Sequence, residues 1–462
     1  MEAVLLVDFG STYTKVTAVD VAGARLLGAA SSHTTVQSDI GEGLASALEQ
    51  LQQATGPLRI ARRMACSSAA GGLRMVASGL VPRLTSEAAR LAALGAGAKV
   101  VRAYSFELTD EDIAEIGEIA PDIFLLTGGI DGGNSACIEH NAAMLAGCQR
   151  RFPVVIAGNR SAAARCEALL DGWETHCCPN VMPALDKLEI GPVQAVVREL
   201  FLKNIVRAKG LSRMEDLVSG ILMPTPLAML KAMKLLADGI PGVPGLGELV
   251  AVDLGGATTD VYSIAKGAPQ NDNTLVKGLP EPREKRTVEG DIGMRYSAAG
   301  VVQAAGMERI LALSGLDEAT VKNRLKAIGE DPSLLAETAA EQALDDALAA
   351  AAVALAVSRH AGTLEEVYTP MGQVYAQTGK DLTGVETLVL TGGAIIHNPK
   401  AGEIGQHALF RPGLPISLKP RRAKVYVDKS YILAAMGLLS DEYPDVAQQI
   451  MKKELVEYGT GK

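Results

Sequence analysis

The sequence predicts an α/β protein of two similar halves around a central cleft. Three observations carry that expectation. Apolar residues make up 48% of the 462 positions but aromatics only 4%, with 48 glycines, and small side chains suit helices packed closely on sheets. Between Leu84 and Cys178, strand and helix patterns alternate as they do in a parallel sheet. Two stretches, VLLVDFGSTYTK at Val4 to Lys15 and ELVAVDLGGATTDVY at Glu248 to Tyr262, share one strand-turn-strand design, with Asp8 and Asp253 standing 245 residues apart.

A chain of this length forms about two to four domains. Its net charge of −9 and pI near 5.4 argue against a broad nucleic-acid footprint and are those of a soluble protein. The longest uncharged helical stretch, Ala347 to Ser358, is too short to span a bilayer, and the N-terminus starts directly in a strand pattern. The expectation is a cytoplasmic protein. All six cysteines lie within the first 178 residues and none forms a C-x-x-C pair. Cys177 and Cys178 follow His176, but no second ligand cluster accompanies them, so reduced buried thiols are expected.

Taken in order, residues 3–8 predict a buried strand, Gly10 to Thr12 a turn, Lys15 to Asp20 a returning strand, and Arg25 to Ala30 a third after Gly23. Helix Gly41 to Gln53 and strand Arg59 to Cys66 follow. In the small-residue segment Ser67 to Gly79, Gly71 and Gly72 either admit close backbone approach or turn the chain. The alternating region predicts helix Thr85 to Gly95, strand Lys99 to Tyr104, helix Asp110 to Gly117, strand Asp122 to Leu126, helix Ser135 to Gln149, strand Pro153 to Ala157 and helix Ser161 to Leu170. It reads as an α/β module at about 84–178 inserted in the first half. Its strand Asp122 to Leu126 ends in TGGIDGGN, Thr127 to Asn134, at the edge where open α/β sheets bind ligands. TGGAIIHN at Thr391 to Asn398 partly echoes it.

Residues 192–208 and Pro224 to Ala237 predict helices, the second bridging the halves and starting at a proline. The first half thus spans 1–238, GIPGVPGLG at 239–247 is a linker, and the second half spans 248–440. Within it, residues 301–376 are alanine-rich and predict a helical insertion. The acids Glu337, Glu341, Asp345 and Asp346 read as a solvated, dipole-favourable face. Strands Thr387 to Leu390 and Lys424 to Val427, helix Tyr431 to Leu439 and a C-terminal helix at 441–462 complete the chain.

The paired turns point to phosphate. Asp8 ends a strand beside Gly10, Ser11 and Thr12, whose amides and hydroxyls suit phosphate oxygens, and Lys15 supplies a positive charge. In the second turn Gly255 and Gly256 admit backbone amides to an anion, with Thr258 and Thr259 beside them. Asp253 and Asp260, seven residues apart, suit Mg²⁺ held through water. Gly290, Asp291 and Gly293 precede a further helix whose amides face an anion. Gly392, Gly393 and Ala394 leave room for a nucleoside against the backbone.

These motifs, in this order, resemble the ATPase superfamily of actin, Hsp70 chaperones and sugar kinases, whose halves are ribonuclease H-like. DFGSTYTK resembles its first phosphate signature, including an actin-like lysine at Lys15. DLGGATTD resembles the second, LTGGA at Leu390 to Ala394 the adenosine signature. The resemblance implies ATP and Mg²⁺ as cofactors, with catalytic roles for Asp8 and Asp253 and a metal-water role shared by Asp8, Asp253 and Asp260. It gives Arg286 and Tyr431 no role. More narrowly, DFGSTYTK, ACSSAAGGL at Ala65 to Leu73, LLTGGIDGGN at Leu125 to Asn134 and RTVEGDIGMR at Arg286 to Arg295 resemble the MutL or GlmL family, accessory proteins of glutamate mutase unrelated to mismatch repair. That resemblance covers essentially the whole chain. It implies an ATP-dependent reactivating chaperone whose partner is an adenosylcobalamin-dependent mutase.

Two departures qualify what the resemblance implies. Gly220 to Ala237, the linking helix, contains no Glu, Gln or Asp to position an attacking water, so hydrolysis is expected to be slow, with Asp8 or Asp253 orienting the water. No Asp-x-His-x-x-Gly cobalamin motif occurs, so the partner is expected to hold that cofactor. The alternatives on the same fold are a small-molecule kinase, with Asp131 as base, and an iron-sulfur activator of a dehydratase, which the absence of cysteine after Cys178 opposes. A filament-forming protein is a fourth, disfavoured reading.

Overall fold

In the computed structural model, residues 2–10, 12–34, 40–68, 73–82, 91, 98–185, 187–208, 221–271, 273–278, 281–370, 372–411 and 416–460 are described. The chain opens with the antiparallel strands β1 (Glu2–Phe9), β2 (Tyr13–Asp20) and β3 (Arg25–His33). Helix α1 (Ile40–Thr55) crosses to β4 (Arg59–Ser67), which runs parallel to β1. β1 is apolar from Ala3 to Val7 and buried on both faces: Leu5, Val7 and Phe9 join one core, Val4 and Leu6 another.

The chain then leaves this sheet through β5 (Leu73–Gly79), β6 (Ala98–Ser105), α2 (Asp110–Ile119), β7 (Ile123–Leu126), α3 (Ala136–Ala146), β8 (Val154–Ile156), α4 (Ala163–Leu169) and β9 (Thr175–Cys177). These strands form one fully parallel sheet ordered β6-β5-β7-β8-β9. Counted within the module the order is 2-1-3-4-5, the doubly wound arrangement. The expected module therefore starts one strand earlier than 84, because Leu73 to Gly79, within the small-residue segment, is its first strand. Its apolar run LRMVASG alternates too weakly to announce a strand, since both faces are covered. Gly71, Gly72 and, apart from Leu91, the expected helix Thr85 to Gly95 lie outside the described residues. Helix α2 starts from a capping box in which Thr109 and Asp112 bond each other's backbone amides.

Helix α5 (Gly191–Ala208) leads back to β10 (Ile221–Pro224), parallel to β4, and α6 (Thr225–Asp238) follows at once. The first sheet is thus β3-β2-β1-β4-β10. The expected linker is ordered instead: β11 (Gly239–Ile240) and β12 (Val243–Pro244) form a small hairpin. Leu246 and Gly247 donate their amides back to the last carbonyls of α6.

The second half repeats the first. Strands β13 (Leu249–Leu254) and β14 (Thr259–Ile264) are antiparallel, β15 (Thr274–Lys277) lies outside this sheet, and β16 (Glu284–Glu289) completes the meander. Helices α7 (Ala298–Ala305), α8 (Met307–Ser314) and α9 (Glu318–Glu330) precede α10 (Ala339–His360). The expected helical insertion ends at His360, because β17 (Thr363–Thr369) and β18 (Gly372–Thr378) pair with each other and β18 also pairs with β15. Their Thr, Val and Tyr content favours strand over helix. β19 (Thr387–Thr391), α11 (Gly393–Ile396), α12 (Ala401–Gln406), β20 (Lys424–Asp428) and α13 (Leu433–Leu439) follow. The C-terminal helix is α14 (Pro444–Glu454) only; β21 (Leu455–Thr460) adds an edge strand. The order β16-β14-β13-β19-β20 matches β3-β2-β1-β4-β10 strand for strand. Two ribonuclease H-like halves of the actin and Hsp70 type follow from that match.

The alanines of α10 let twelve of its residues lie buried against the second sheet. Of the acids expected on a solvated, dipole-favourable face, Glu337 is exposed and Glu341 caps the helix's amino end with Thr338, but Asp345 and Asp346 are turned to partners instead. Asp345 pairs with Arg295 at 2.8 Å, and Asp346 accepts from Asn398 at 2.7 Å and pairs with Lys400 at 3.0 Å. Between the halves, Val4 and Leu6 of β1, Leu249 and Ala251 of β13, and the buried faces of α6, α13 and α14 form one apolar core. Among the described residues no helix is long and apolar enough to cross a membrane.

Candidate functional site

The two halves present the same turn in the same register. Asp8 is paired with Lys15 across β1 and β2, and Asp253 with Asp260 across β13 and β14. Gly10 donates its amide to Tyr13 at 3.0 Å, and Gly255 its amide to Thr258 at 3.0 Å. A Cβ on either glycine would sit 2.5 or 2.8 Å from that carbonyl oxygen, so glycine is required by close approach. Thr12 accepts from the Thr34 amide through its carbonyl. Ser11 lies outside the described residues.

Around Asp8 the sequence names only part of the site. Thr225, first residue of α6, donates its hydroxyl to Asp8 Oδ1 at 2.6 Å, and the Cys66 thiol lies 3.5 Å from the same oxygen. Burial, and next the Asp8 charge, push that thiol far up, so it stays protonated. Lys15 Nζ sits 3.3 Å from Asp8 Oδ2 and 3.5 Å from the centre of the Tyr431 ring, across the cleft. Burial alone would lower the Lys15 pKa, but Tyr431, Asp8 and Asp253 together raise it, and the ammonium is held charged.

Tyr431 adopts φ 53°, unusual for a residue with a side chain. Asp428 holds it there: this buried carboxylate accepts from the Ile432 and Leu433 amides at 3.0 and 3.2 Å and from Thr391 Oγ1 at 3.1 Å. Neither Asp428 nor Tyr431 stands out in the sequence beyond a helix start. The signal available was position: β20 and β10 are equivalent strands, so the segment after each faces the same cleft. A cleft of about 350 Å³ lies here, lined by Lys15, Ser31, His397, Lys429 and Tyr431 among others.

Asp253 is half-buried, and burial pushes its carboxyl up to about 7; Lys15 opposes that, while Asp260, Asp8 and Asp428 add to it. The site is short of positive charge on this side. Asp260 is not short of it: Arg286 from β16 places Nη2 and Nε 2.6 and 2.7 Å from its Oδ1. Arg286 thereby acquires the role the motifs do not supply.

The remaining expected residues divide into two groups. The 290–295 segment closes on the second turn, with Met294 and Arg295 amides donating to the Gly255 and Gly256 carbonyls at 3.0 and 2.8 Å. Gly293 belongs to this contact. Asp291 pairs with Arg359 at 2.8 Å, and Gly290 accepts from Ser297 Oγ at 3.3 Å. Thr259 gives its hydroxyl to the Ile292 carbonyl at 2.9 Å, whereas the Thr258 hydroxyl lies 3.5 Å from Asp260 Oδ2. Gly392, at φ 103°, backs onto Leu254, and Gly393 and Ala394 begin α11 at the same sheet edge as Asp253.

TGGIDGGN does not join the cleft. Its Asp131 accepts from Asn180 Nδ2 at 2.9 Å and the Arg160 amide at 3.1 Å, and Asn159 fills the loop with bonds to Gly132, Gly133 and Asn134. The echo with TGGAIIHN is real at the level of place: both follow the carboxyl end of a parallel strand and lead into a helix.

The turns suit a nucleotide phosphate chain. Glycine-lined turns stand at the ends of both central strands, with one buried ammonium between them. Asp8 and the charge-deficient Asp253 suit a divalent cation bound through water. Among the described residues no three acidic, imidazole or thiol groups converge closely enough to hold a metal directly.

The sequence profile of the family described as "MutL protein" matches residues 4–455. "Protein MutL" of Clostridium tetanomorphum is 46% identical over 461 residues, covering 99% of this chain and 100% of that protein. Similar solved structures include the xylulose kinase of Lactobacillus acidophilus, at 10% identity and TM-score 0.36 over 100% of this chain and 93% of that one. Another is a glycerol dehydratase reactivase, at 13% identity and TM-score 0.32 over 95% and 99%. At such scores these two add nothing to the topology described above.

Proposed function

The chain belongs to the MutL protein family, and from that premise we propose that it is an ATP-dependent accessory chaperone of an adenosylcobalamin-dependent mutase of the glutamate or amino mutase type. ATP with Mg²⁺ is bound between the halves, and hydrolysis lets them part, which is passed to the mutase through the inserted module or the helices of the second half. The observation that carries this is the repeated turn: Asp8 with Lys15 and Asp253 with Asp260 occupy equivalent positions on equivalent strands.

The proposed roles follow from the surroundings of each group. Lys15 and the amides of Gly10 to Thr12, Gly255 and Gly256 hold the phosphates; Gly392, Gly393 and Ala394 border the nucleoside. Asp8 and Asp253 would hold Mg²⁺ through water, and Asp260, neutralised by Arg286, orients the water shell rather than carrying free charge. When bound, the ion would supply countercharge to the phosphates. Either Asp8 or Asp253 orients the attacking water. Thr225 fixes Asp8 but offers no base, so turnover is slow, as befits a nucleotide-timed switch.

The kinase alternative is disfavoured, since the Asp131 carboxylate is engaged by Asn180 Nδ2 and the Arg160 amide. An iron-sulfur activator is opposed by the cysteines: four of the six are buried, and Cys66 lies behind Asp8. The test is titration with Mg²⁺-ATP, followed by ATPase rates with and without an inactivated mutase. Asp253→Ala is expected to weaken ATP binding at least tenfold, and the mutase to change the wild-type rate. Undiminished affinity in the variant would remove the basis of the site.

A further inference from the structure

Helix α10 reaches both of the second-half turns proposed to hold the nucleotide, and it does so through two neighbouring acids. Asp345 and Asp346 are half-buried and, as consecutive residues of an α-helix, point about 100° apart. Asp345 takes both terminal nitrogens of the Arg295 guanidinium, Nη2 at 2.8 Å and Nη1 at 3.4 Å. Asp346 Oδ1 accepts from Asn398 Nδ2 at 2.7 Å and from Gln342 Nε2, one turn earlier on α10, at 2.8 Å.

Each partner is tied to a different turn. The Arg295 amide donates to the Gly256 carbonyl at 2.8 Å, and two residues on Ser297 Oγ donates to the Ala257 carbonyl at 2.7 Å. The fork on Arg295 therefore fixes the segment that backs the Gly255 and Gly256 turn. Asn398 closes the short helix α11: its amide donates to the Ile395 carbonyl at 3.0 Å, and its Oδ1 accepts from the Lys400 amide at 2.8 Å. Its carbonyl also accepts from Lys429 Nζ at 3.4 Å, two residues before Tyr431. The bond to Asp346 therefore fixes the turn of Gly392, Gly393 and Ala394. The helix that carries both acids is itself anchored. Near its amino end Glu341 pairs with Arg324 of α9 at 2.7 Å, and at its carboxyl end the two His360 ring nitrogens meet Ser263 Oγ of β14 and Thr287 Oγ1 of β16, each at 2.8 Å.

We infer that Asp345 and Asp346 are positioning residues of the nucleotide site, Asp345 for the phosphate chain and Asp346 for the nucleoside, with α10 setting the spacing between the two turns. The inference rests on the nucleotide reading of those turns. Each acid acts through its partner. Charge-assisted bonds hold a geometry more firmly than neutral ones, and a site is most precise when its supporting groups stand on a rigid element. Removing either carboxylate leaves a half-buried donor of its partner without an acceptor, and the turn behind that donor is then free to shift.

The full chain is titrated calorimetrically with Mg²⁺-ATP and with Mg²⁺-tripolyphosphate, which carries the phosphates but no nucleoside. Asp345→Ala is expected to weaken both ligands by about tenfold, whereas Asp346→Ala weakens ATP by about tenfold and leaves tripolyphosphate within about twofold of wild type. Arg295→Gln and Asn398→Ala break the same two contacts from the other side and should reproduce the two patterns. The doubles Asp345→Ala/Arg295→Gln and Asp346→Ala/Asn398→Ala should lose nothing further. The partner variants also carry the test if an Asp variant fails to fold. Wild-type affinity for both ligands in all four single variants overturns the positioning roles and leaves the nucleotide site standing. Equal weakening of both ligands in Asp346→Ala and Asn398→Ala overturns them too, since it marks a general loss of structure. A wild type that binds neither ligand removes the nucleotide reading itself, and the positioning roles with it.

Discussion

Asp253 shows how one carboxylate reports on the whole cleft. Its ordinary pKa is 3.8 and its folded value about 7, raised first by burial. The folded state therefore holds the extra proton between those values, and stability falls as pH rises through this window. The expected result is a wild-type thermal midpoint that drops, relative to Asp253→Asn, as pH is raised from about 4 to about 8. Mg²⁺ should recover part of the loss at the upper end, where the carboxylate is charged, and none at about pH 4. Parallel melting curves for the two proteins would show that Asp253 has no special environment. At this scale the sequence exposes the acids and glycines, because strand-turn-strand spacing fixes their place. It hides Thr225, Asp428, Tyr431 and Arg286, because each reaches the site from a strand or helix distant in sequence. An arginine on β16 is unremarkable until β14 lies beside it.

The elements that join the halves are α6 and α13, each following the last parallel strand of its own five-strand motif. Their contact has no room to spare: a Cβ added at Gly437 would sit 1.7 Å from the Ala228 carbonyl oxygen. That neighbour is helix backbone, which cannot swing aside as a side chain would. Gly437→Ala is expected to lower stability by about 1–3 kcal/mol, read as a reduced urea midpoint with an unchanged slope. An unaltered midpoint would mean that the two helices already slide freely. The same elements mark the limit of pattern reading. β13, β19 and β20 are legible as apolar runs, and α10 by its length and its Thr338 cap. β5, β17 and β18 are not, since a strand in a covered sheet or in a small exposed one carries little periodicity.

For the molecule as a whole, the internal duplication makes a hinged clamp the natural motion. The halves share the apolar core around α6 and α13, while at the cleft edge they meet through Lys15 against the Tyr431 ring. That contact joins a cation of one half to a left-handed residue of the other, so losing it loosens the halves' edge in the unliganded protein. Losing a cation-ring contact costs about 1 kcal/mol, which shifts an open-closed balance by about fivefold. Tyr431→Ala should therefore enlarge the unliganded protein in small-angle X-ray scattering and increase the contraction on adding ATP. Tyr431→Phe keeps the ring and is expected to behave as wild type, which separates the ring's attraction from the hydroxyl. If Tyr431→Ala and wild type scatter identically in both states, the edge contact does not govern closure. Movement would then be set by the shared core, where Gly437 and Ala228 meet.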